Sequence, residues 1–231
     1  MDFIYDIFCD ASVGADLRGA CAGCIVVRRG DDEYRSFTIV QPNGTNNSGE
    51  LEAIALAITI AIQIKSMHTS LNIPFTINIF SDSQISIKGL RDWIFGWSYN
   101  NNVLYKKDGS VVMNQNFIKL IYNLIMTYDL RVNFYHQKGH VGHAFHKAEK
   151  TFHQSNGIYC GTLGLTAEYI SIYNDLVDNL TRDTLLQWSQ SGEMANSENF
   201  IVNYFYEFPI DHIGLIDNFN ERNKYRQLIG Q

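Results

Sequence analysis

The sequence is poor in proline and cysteine, and it carries no excess of positive charge. Three of its 231 residues are proline and four are cysteine. Eighteen Lys and Arg residues stand against 24 Asp and Glu residues, which gives a formal net charge of −6 at pH 7. This balance argues against tight, non-specific binding of nucleic acid through net charge alone, although it permits a local basic stripe.

The few cysteines indicate reduced, mostly buried thiols of a cytosolic protein, because three of the four lie in or beside apolar segments and no signal peptide precedes them. We therefore expect a cytoplasmic location. Cys21 and Cys24 form a C-x-x-C pair. On a strand their side chains would face opposite sides, which predicts a packed pair rather than a metal or redox site.

The chain also lacks an uninterrupted apolar run long enough to cross a bilayer. The longest run, residues 54–64, is interrupted by Thr59 and Gln63. We therefore expect no membrane partner. Apolar residues nevertheless make up 45% of the chain, which is enough for a substantial core in one large domain or in one domain with appendages.

Alternating strand and helix patterns predict an α/β domain with a mixed sheet flanked by helices. Apolar runs bounded by turn residues predict five strands, at 3–9, 20–29, 33–41, 75–81 and 131–136. Helical spacing predicts helices at 49–66, from 83 through 90, at 114–127 and at 168–189. The first three strands would form an antiparallel meander, and the intervening helices predict parallel pairing of the later ones.

We divide the chain into a catalytic domain at 1–190, with an inserted loop at about 141–170, and a C-terminal extension at 191–231. The extension contains a predicted strand at 200–208 and a predicted short helix at 217–228. Its strand could extend the edge of the sheet or pair with a second copy of the chain. Alternatively, the extension could dock a replication partner.

Four acidic residues lie at positions that are typical of a site for hard cations. Asp10 and Asp82 each end an apolar strand, Glu50 opens the long helix, and Asp178 lies in the last predicted helix of the domain. If these carboxylates converge, they would bind Mg²⁺ and support hydrolysis of a phosphodiester. Each of them alone could instead be a helix cap or a solvated charge. Asp175 competes with Asp178 for the fourth position.

Five short motifs surround these acids in a characteristic order. They are Ile7-Phe8-Cys9-Asp10-Ala11-Ser12, Thr45-Asn46-Asn47-Ser48-Gly49-Glu50-Leu51, Phe80-Ser81-Asp82-Ser83-Gln84, Lys138-Gly139-His140-Val141-Gly142-His143 and Asn174-Asp175-Leu176-Val177-Asp178. Any one motif is weak evidence, whereas five in order on the expected elements are specific. Together they resemble type I ribonuclease H over roughly residues 3–140 and 170–185.

This resemblance implies a ribonuclease H-like fold and an endonuclease that hydrolyses the RNA strand of RNA–DNA hybrids. Two Mg²⁺ ions, or Mn²⁺ as a substitute, would be held by Asp10, Glu50, Asp82 and Asp178, and the products would carry 5′-phosphate and 3′-hydroxyl ends. The residues around Asp178 fit the family pattern better than those around Asp175. Two alternatives stay open: a nuclease for branched or single-stranded DNA, and a non-catalytic nucleic-acid-binding or assembly module.

The resemblance also implies six substrate-binding residues, namely Thr45, Asn46, Asn47, Gln84, Trp93 and Trp97. The first two would contribute to a pocket for a DNA phosphate, and Asn47 would sense the 2′-hydroxyls of the RNA strand. Gln84 would contact a base edge in the minor groove. The tryptophans belong to a protrusion in which an aromatic ring packs on a DNA sugar, although burial against the domain is an equal alternative.

His140 is the expected proton shuttle, on a glycine-rich loop directly after the fifth strand. It lies 38 residues before Asp178, so the loop between them is enlarged. This loop contains His143, His146, His153 and Cys160. They could bind a structural Zn²⁺, but solvent-exposed histidines in an irregular loop are the favoured interpretation. We expect Glu52, beside Glu50, to be a surface charge.

Overall fold

The computed structural model describes residues 3–14, 19–137, 139, 163–191 and 219–231. The strands in these ranges are β1 (Phe3–Val13), β2 (Gly19–Arg28), β3 (Tyr34–Pro42), β4 (Phe75–Ser81), β5 (Ser98–Asn100), β6 (Val103–Tyr105) and β7 (Asn133–His136). The helices are α1 (Asn46–Leu71), α2 (Gln84–Arg91), α3 (Gln115–Thr127), α4 (Ala167–Ser191) and α5 (Phe219–Leu228). A 3₁₀ turn at Trp93–Gly96 follows α2.

Five of the described strands form one mixed sheet with the order β3-β2-β1-β4-β7. The pairs β1–β2 and β2–β3 are antiparallel, whereas β1–β4 and β4–β7 are parallel. The predicted five-stranded mixed sheet is therefore confirmed. Cys9 lies opposite Ser81 in the parallel β1–β4 register, so the next residues along the chain, Asp10 in β1 and Asp82 directly after β4, lie at the same end of these two strands.

Helices cover both faces of this sheet, and successive residues of β1 face opposite sides. Ile7 and Cys9 belong to the larger core cluster, which is formed with α1, α2, α3 and α5. Phe8 belongs to a second cluster on the other face, where it is buried together with Val177 of α4. The central strand thus reads as a continuous apolar run because both of its faces are buried.

The long helix α1 contributes residues to the larger cluster along much of its length. Its length and composition would allow it to cross a membrane, with a mean hydropathy of 1.3 over its most apolar stretch, but 61% of that stretch is buried inside the domain. Apolar packing against the sheet therefore accounts for the composition of α1. The helix is longer than the predicted 49–66: it begins at Asn46, directly after its N-cap Thr45, and ends at Leu71, before Asn72 in the left-handed conformation.

The hairpin formed by β5 and β6 was not predicted, because three-residue strands are too short to show a period of two. Its turn consists of Asn101 and Asn102, whose φ angles are 48° and 65°. Asparagine tolerates this left-handed conformation better than most residues, so the Asn-rich stretch forms a tight turn between two strands.

The C-terminal helix α5 packs into the larger core cluster. Tyr225 is fully buried beside Tyr122 of α3, with 4.8 Å between the ring centroids, and its hydroxyl donates to the Leu90 carbonyl. The Val132 amide, just before β7, donates to the Leu228 carbonyl at 2.8 Å. The predicted short helix is confirmed. The predicted strand at 200–208 lies outside the described residues, and its proposed pairing or docking role stays a prediction.

The C-x-x-C pair behaves as the strand geometry predicts. Cys24 packs in the cluster on the α1 side, whereas Cys21 packs with Val40 and Leu185 on the α4 side. Cys9, Cys21 and Cys24 are all buried free thiols. Burial raises the pKa of the Cys21 thiol to about 12, so it stays protonated at neutral pH and packs as a small apolar group.

Candidate active site

Three of the predicted carboxylates converge. Asp10, Glu50 and Asp82 each offer one oxygen, and these oxygens all lie within 4.8 Å of one another. Asp10 and Glu50 are each only 4% exposed. Groups with this charge are rarely buried unless they are paired or bind a metal, so the cluster is the strongest candidate for a functional site in the described part of the chain.

Glu50 reaches Asp10 because the first turn of α1 lies very close to strands β1 and β2. A Cβ on Gly49 would lie 2.9 Å from the Ala11 Cβ and 3.2 Å from the Ala20 Cβ, so glycine permits this approach. A reciprocal capping box fixes the first turn of α1: the Ser48 amide donates to the Thr45 hydroxyl, and the Thr45 amide donates to the Ser48 hydroxyl.

Asp82 lies between the end of β4 and the start of α2. The N-cap of α2 is Ser83, whose hydroxyl accepts from the Ser86 amide, so Asp82 is not the cap. The Asp82 carbonyl accepts a hydrogen bond from His136 Nε2 at 3.2 Å. A Cβ on Gly139 would lie 1.8 Å from Asp82 Oδ2, so any other residue at this position would displace the carboxylate.

The electrostatics of the cluster favour protonated carboxyl groups when no cation is bound. Burial, reinforced by the charges of Asp82 and Asp178, raises the pKa of Asp10 well above its ordinary value. Burial and the neighbouring Asp10 and Asp82 raise the pKa of Glu50 as well. A bound divalent cation would remove the repulsion that causes these shifts.

The donor set fits a hard divalent cation. Carboxylate oxygens are the ligands that Mg²⁺ and Mn²⁺ prefer. Glu50 Oε2 is buried and has no hydrogen-bond partner among the described residues. An unpaired buried carboxylate oxygen is costly, and a coordinated cation would satisfy it. The triad could therefore hold a metal ion.

Asp178 lies beside the triad without belonging to it. It lines the same open cavity, of about 440 Å³, together with Asp10, Glu50 and Asp82, whereas Asp175 is not among the lining residues. Its side chain is 22% exposed and lies 3.5 Å from Arg182, one helical turn later. The geometry thus favours Asp178 over Asp175 as the fourth acid.

The predicted substrate residues fall into two groups. Asn46, Asn47 and Gln84 line the carboxylate cavity. Thr45 instead directs its hydroxyl to the capping box of α1, and its part in a phosphate pocket stays a prediction.

The two tryptophans differ in exposure. Trp93 is 44% exposed and Trp97 only 8%. Both line a smaller cavity of about 130 Å³, which shares Asn47 and Ile85 with the carboxylate cavity. The two cavities are therefore adjacent. Burial dominates for Trp97, whereas Trp93 presents an open aromatic surface beside the site.

His140 lies outside the described residues, as do the candidate zinc ligands His143, His146, His153 and Cys160. The described chain leads up to that loop through Gln137, whose Nε2 donates to Asn174 Oδ1 of α4. This hydrogen bond links the end of β7 to α4, the helix that carries Asp178.

Two features of the site were missed or misjudged in the sequence. His136 supports the backbone of Asp82, and no spacing rule indicated this role because the contact is between strand ends. Glu52 was expected on the surface, and this is wrong: it is 5% exposed, and burial raises its pKa to about 7. Glu52 lies within α1, where the helix faces the core on nearly all sides, so a single acid does not mark an exposed face.

The fold and this site define an α/β protein with a carboxylate cluster suited to divalent cations. The profile of the family described as RNase H matches residues 4–154. A relative from Rhodopirellula baltica is 30% identical over 104 residues, which cover 45% of this chain and 58% of that protein. A relative from Thiobacillus denitrificans is 28% identical over 142 residues, which cover 62% of this chain and 84% of that protein. Both relatives are named Ribonuclease H.

A solved structure of LC9-RNase H1, a type 1 RNase H with the type 2 active-site motif, has the same fold. It superposes with a TM-score of 0.51 at 16% identity, covering 97% of this chain and 86% of that chain. The family profile spans more than half of the sequence, and its match contains Asp10, Glu50 and Asp82. The chain belongs to the RNase H family.

Proposed function

We propose that this protein hydrolyses the RNA strand of RNA–DNA hybrids. The observation that carries the proposal is the convergence of Asp10, Glu50 and Asp82 in a cavity that is also lined by Asn46, Asn47 and Gln84. The named relatives, each a ribonuclease H, support this choice of substrate.

The cofactor in this proposal is a pair of Mg²⁺ ions, with Mn²⁺ as a substitute, held by the triad and Asp178. Two such ions activate a water molecule and neutralise charge on the attacking and leaving oxygens of a phosphodiester. Four carboxylates supply the negative charge that holds them. Cleavage that releases the 3′-oxygen of one nucleotide would leave 5′-phosphate and 3′-hydroxyl ends.

The remaining polar residues of the cavity would orient the duplex. Asn47 offers both amide donors and an acceptor, which suits a 2′-hydroxyl that is both donor and acceptor. Asn46 would contact a phosphate, and Gln84 would reach a base edge. Trp93 would stack on a sugar or base, whereas Trp97 is a buried part of the wall of the neighbouring cavity.

His140 is proposed as the proton shuttle that assists departure of the product. Support comes from Gly139, the residue directly before His140, because it lies against the Asp82 carboxylate. We also propose a cytoplasmic location, supported by the free, buried thiols Cys9, Cys21 and Cys24.

Cleavage of a panel of labelled substrates tests the proposal. Wild type and an Asp10→Asn variant are incubated with Mg²⁺ and with an RNA–DNA hybrid, duplex RNA, duplex DNA, branched DNA or single-stranded DNA. We expect cleavage of the RNA strand of the hybrid by wild type alone. Cleavage of branched or single-stranded DNA instead would identify a different nuclease, and metal-independent binding without cleavage would identify a non-catalytic module.

A further inference from the structure

Helix α4 makes an unusually close contact with the sheet beside the site. A Cβ on Gly23 of β2 would lie 2.5 Å from the Cγ2 methyl of Thr181, which is closer than two carbon atoms can approach. Gly23 lies directly opposite Asp10 in the β1–β2 pairing. The space left by the missing side chain of Gly23 therefore lets α4 pack closely beside β1, the strand that carries Asp10 of the triad.

A chain of hydrogen bonds fixes the same point. The Thr181 hydroxyl donates to the Asp178 carbonyl at 3.0 Å, so the Ser12 hydroxyl, 3.0 Å away, is the donor to Thr181 Oγ1. Ser12 follows Asp10 by two residues on β1, and Thr181 is fully buried. The backbone of Asp178 is thus linked through Thr181 to the catalytic strand.

The other partner of Asp178 cannot fix the position of the helix. Arg182 is 58% exposed, and its contact with the Asp178 carboxylate is 3.5 Å long. Ion pairs of this kind are weak and screened by solvent. The buried contacts of Thr181 are therefore the stronger constraint on the helix turn that carries Asp178.

We propose that Ser12, Gly23 and Thr181 are positioning residues that set the distance between the Asp178 carboxylate and the triad. Gly23 lets the helix approach by leaving room for the Thr181 methyl, and the two hydroxyls fix the rotation of α4. The proposal rests on the proposed function insofar as it treats Asp178 as the fourth metal ligand.

Four variants separate positioning from general packing. Gly23→Ala places a methyl group against Thr181 Cγ2, whereas Thr181→Ser removes that Cγ2 and keeps the hydroxyl. Combining the two should therefore restore the approach of α4. Thr181→Val keeps the shape of the side chain and removes only its hydroxyl, so it tests the hydrogen bonds without adding bulk.

The first readout is the affinity of the free protein for Mn²⁺, measured by calorimetry and corrected for the folded fraction from urea unfolding. We expect Gly23→Ala and Thr181→Val each to weaken Mn²⁺ binding by about 10- to 100-fold, the range for residues that orient metal ligands. Thr181→Ser and the Gly23→Ala/Thr181→Ser pair should bind within about threefold of wild type.

The second readout is coupling to Asp178. In an Asp178→Asn background, Thr181→Val should change Mn²⁺ affinity by less than about twofold, because the ligand that it positions is already gone. A loss equal to that in the wild-type background would overturn the proposal, as would failure of Thr181→Ser to rescue Gly23→Ala. If wild type binds Mn²⁺ but cleaves no hybrid, the proposed function fails, whereas the Mn²⁺ affinities of the variants still test the positioning proposal.

Discussion

Replacing Glu50 with glutamine should stabilise the metal-free protein at alkaline pH. Glu50 is 4% exposed, its Oε2 has no partner among the described residues, and it faces Asp10 and Asp82. Its pKa in the folded protein is raised by burial and by these two carboxylates. The folded state therefore holds a proton that the unfolded state releases.

The sign of the pH dependence follows from this difference. An acid whose folded pKa is raised loses stability as the pH climbs from the unfolded pKa, about 4.3 for Glu, towards the folded value. Glutamine has no such titration. Each unit by which the folded pKa exceeds the unfolded one costs wild type about 1.4 kcal/mol as the pH rises, and the buried glutamine amide offsets part of the gain with a desolvation cost of its own of about 1–3 kcal/mol; Glu50→Gln should therefore raise the free energy of unfolding by about 1–3 kcal/mol near pH 8. Below the unfolded pKa, where Glu50 is protonated in both states, the two proteins should be nearly equal.

Urea unfolding followed by circular dichroism measures the effect, in EDTA and in Mg²⁺, near pH 4 and pH 8. In Mg²⁺ the advantage of the variant should shrink by up to about 2.7 kcal/mol, because ligand at a hundred times its dissociation constant stabilises wild type by that amount and the variant binds it more weakly. Asp32→Asn, at an exposed acid in the β2–β3 turn, is the control and should change little. A Glu50→Gln variant no more stable than wild type in EDTA at pH 8 would refute the reasoning.

Three further predictions concern the surroundings of the triad. Gly139→Ala should weaken Mg²⁺ binding by about 10-fold or more with the fold intact by circular dichroism, because the new Cβ would displace Asp82; unchanged calorimetric affinity would contradict this contact. Trp93→Ala should raise the KM for a hybrid by about 5- to 10-fold without changing Tm, since an exposed stacking ring contributes about 1 kcal/mol or more. Trp97→Ala should instead lower the free energy of unfolding by about 3 kcal/mol, because its ring is buried; a similar loss for both variants in urea would contradict the difference in exposure.

Patterns along the sequence, together with the family resemblance, predicted the sheet and singled out the three acids of the triad. The apolar runs before Asp10 and Asp82 are long enough to identify two strands, and their adjacency in the sheet brings the two acids together. Glu50 follows a clear capping sequence. These predictions depended on local chemistry, which a single sequence displays.

Contacts between elements that are distant in the sequence could not be predicted from such patterns. Nothing in the spacing indicated that Glu52 would be buried, because α1 faces the core on nearly all sides. The role of His136 depends on the end of β7 lying beside Asp82, and the role of Gly23 depends on a methyl group 158 residues later in the chain. Such positions can be recognised only when the elements are packed.

Cleavage of a hybrid with 5′-labelled RNA tests the central claim most directly. Wild type, Asp10→Asn and Glu50→Gln are compared at equal folded concentration, with Mg²⁺ and with EDTA. We expect Mg²⁺-dependent cuts in the RNA strand by wild type, and losses of about 100-fold or more in both variants. Equal cleavage by all three proteins, or none by wild type in Mg²⁺, would contradict a catalytic role for the carboxylate cluster.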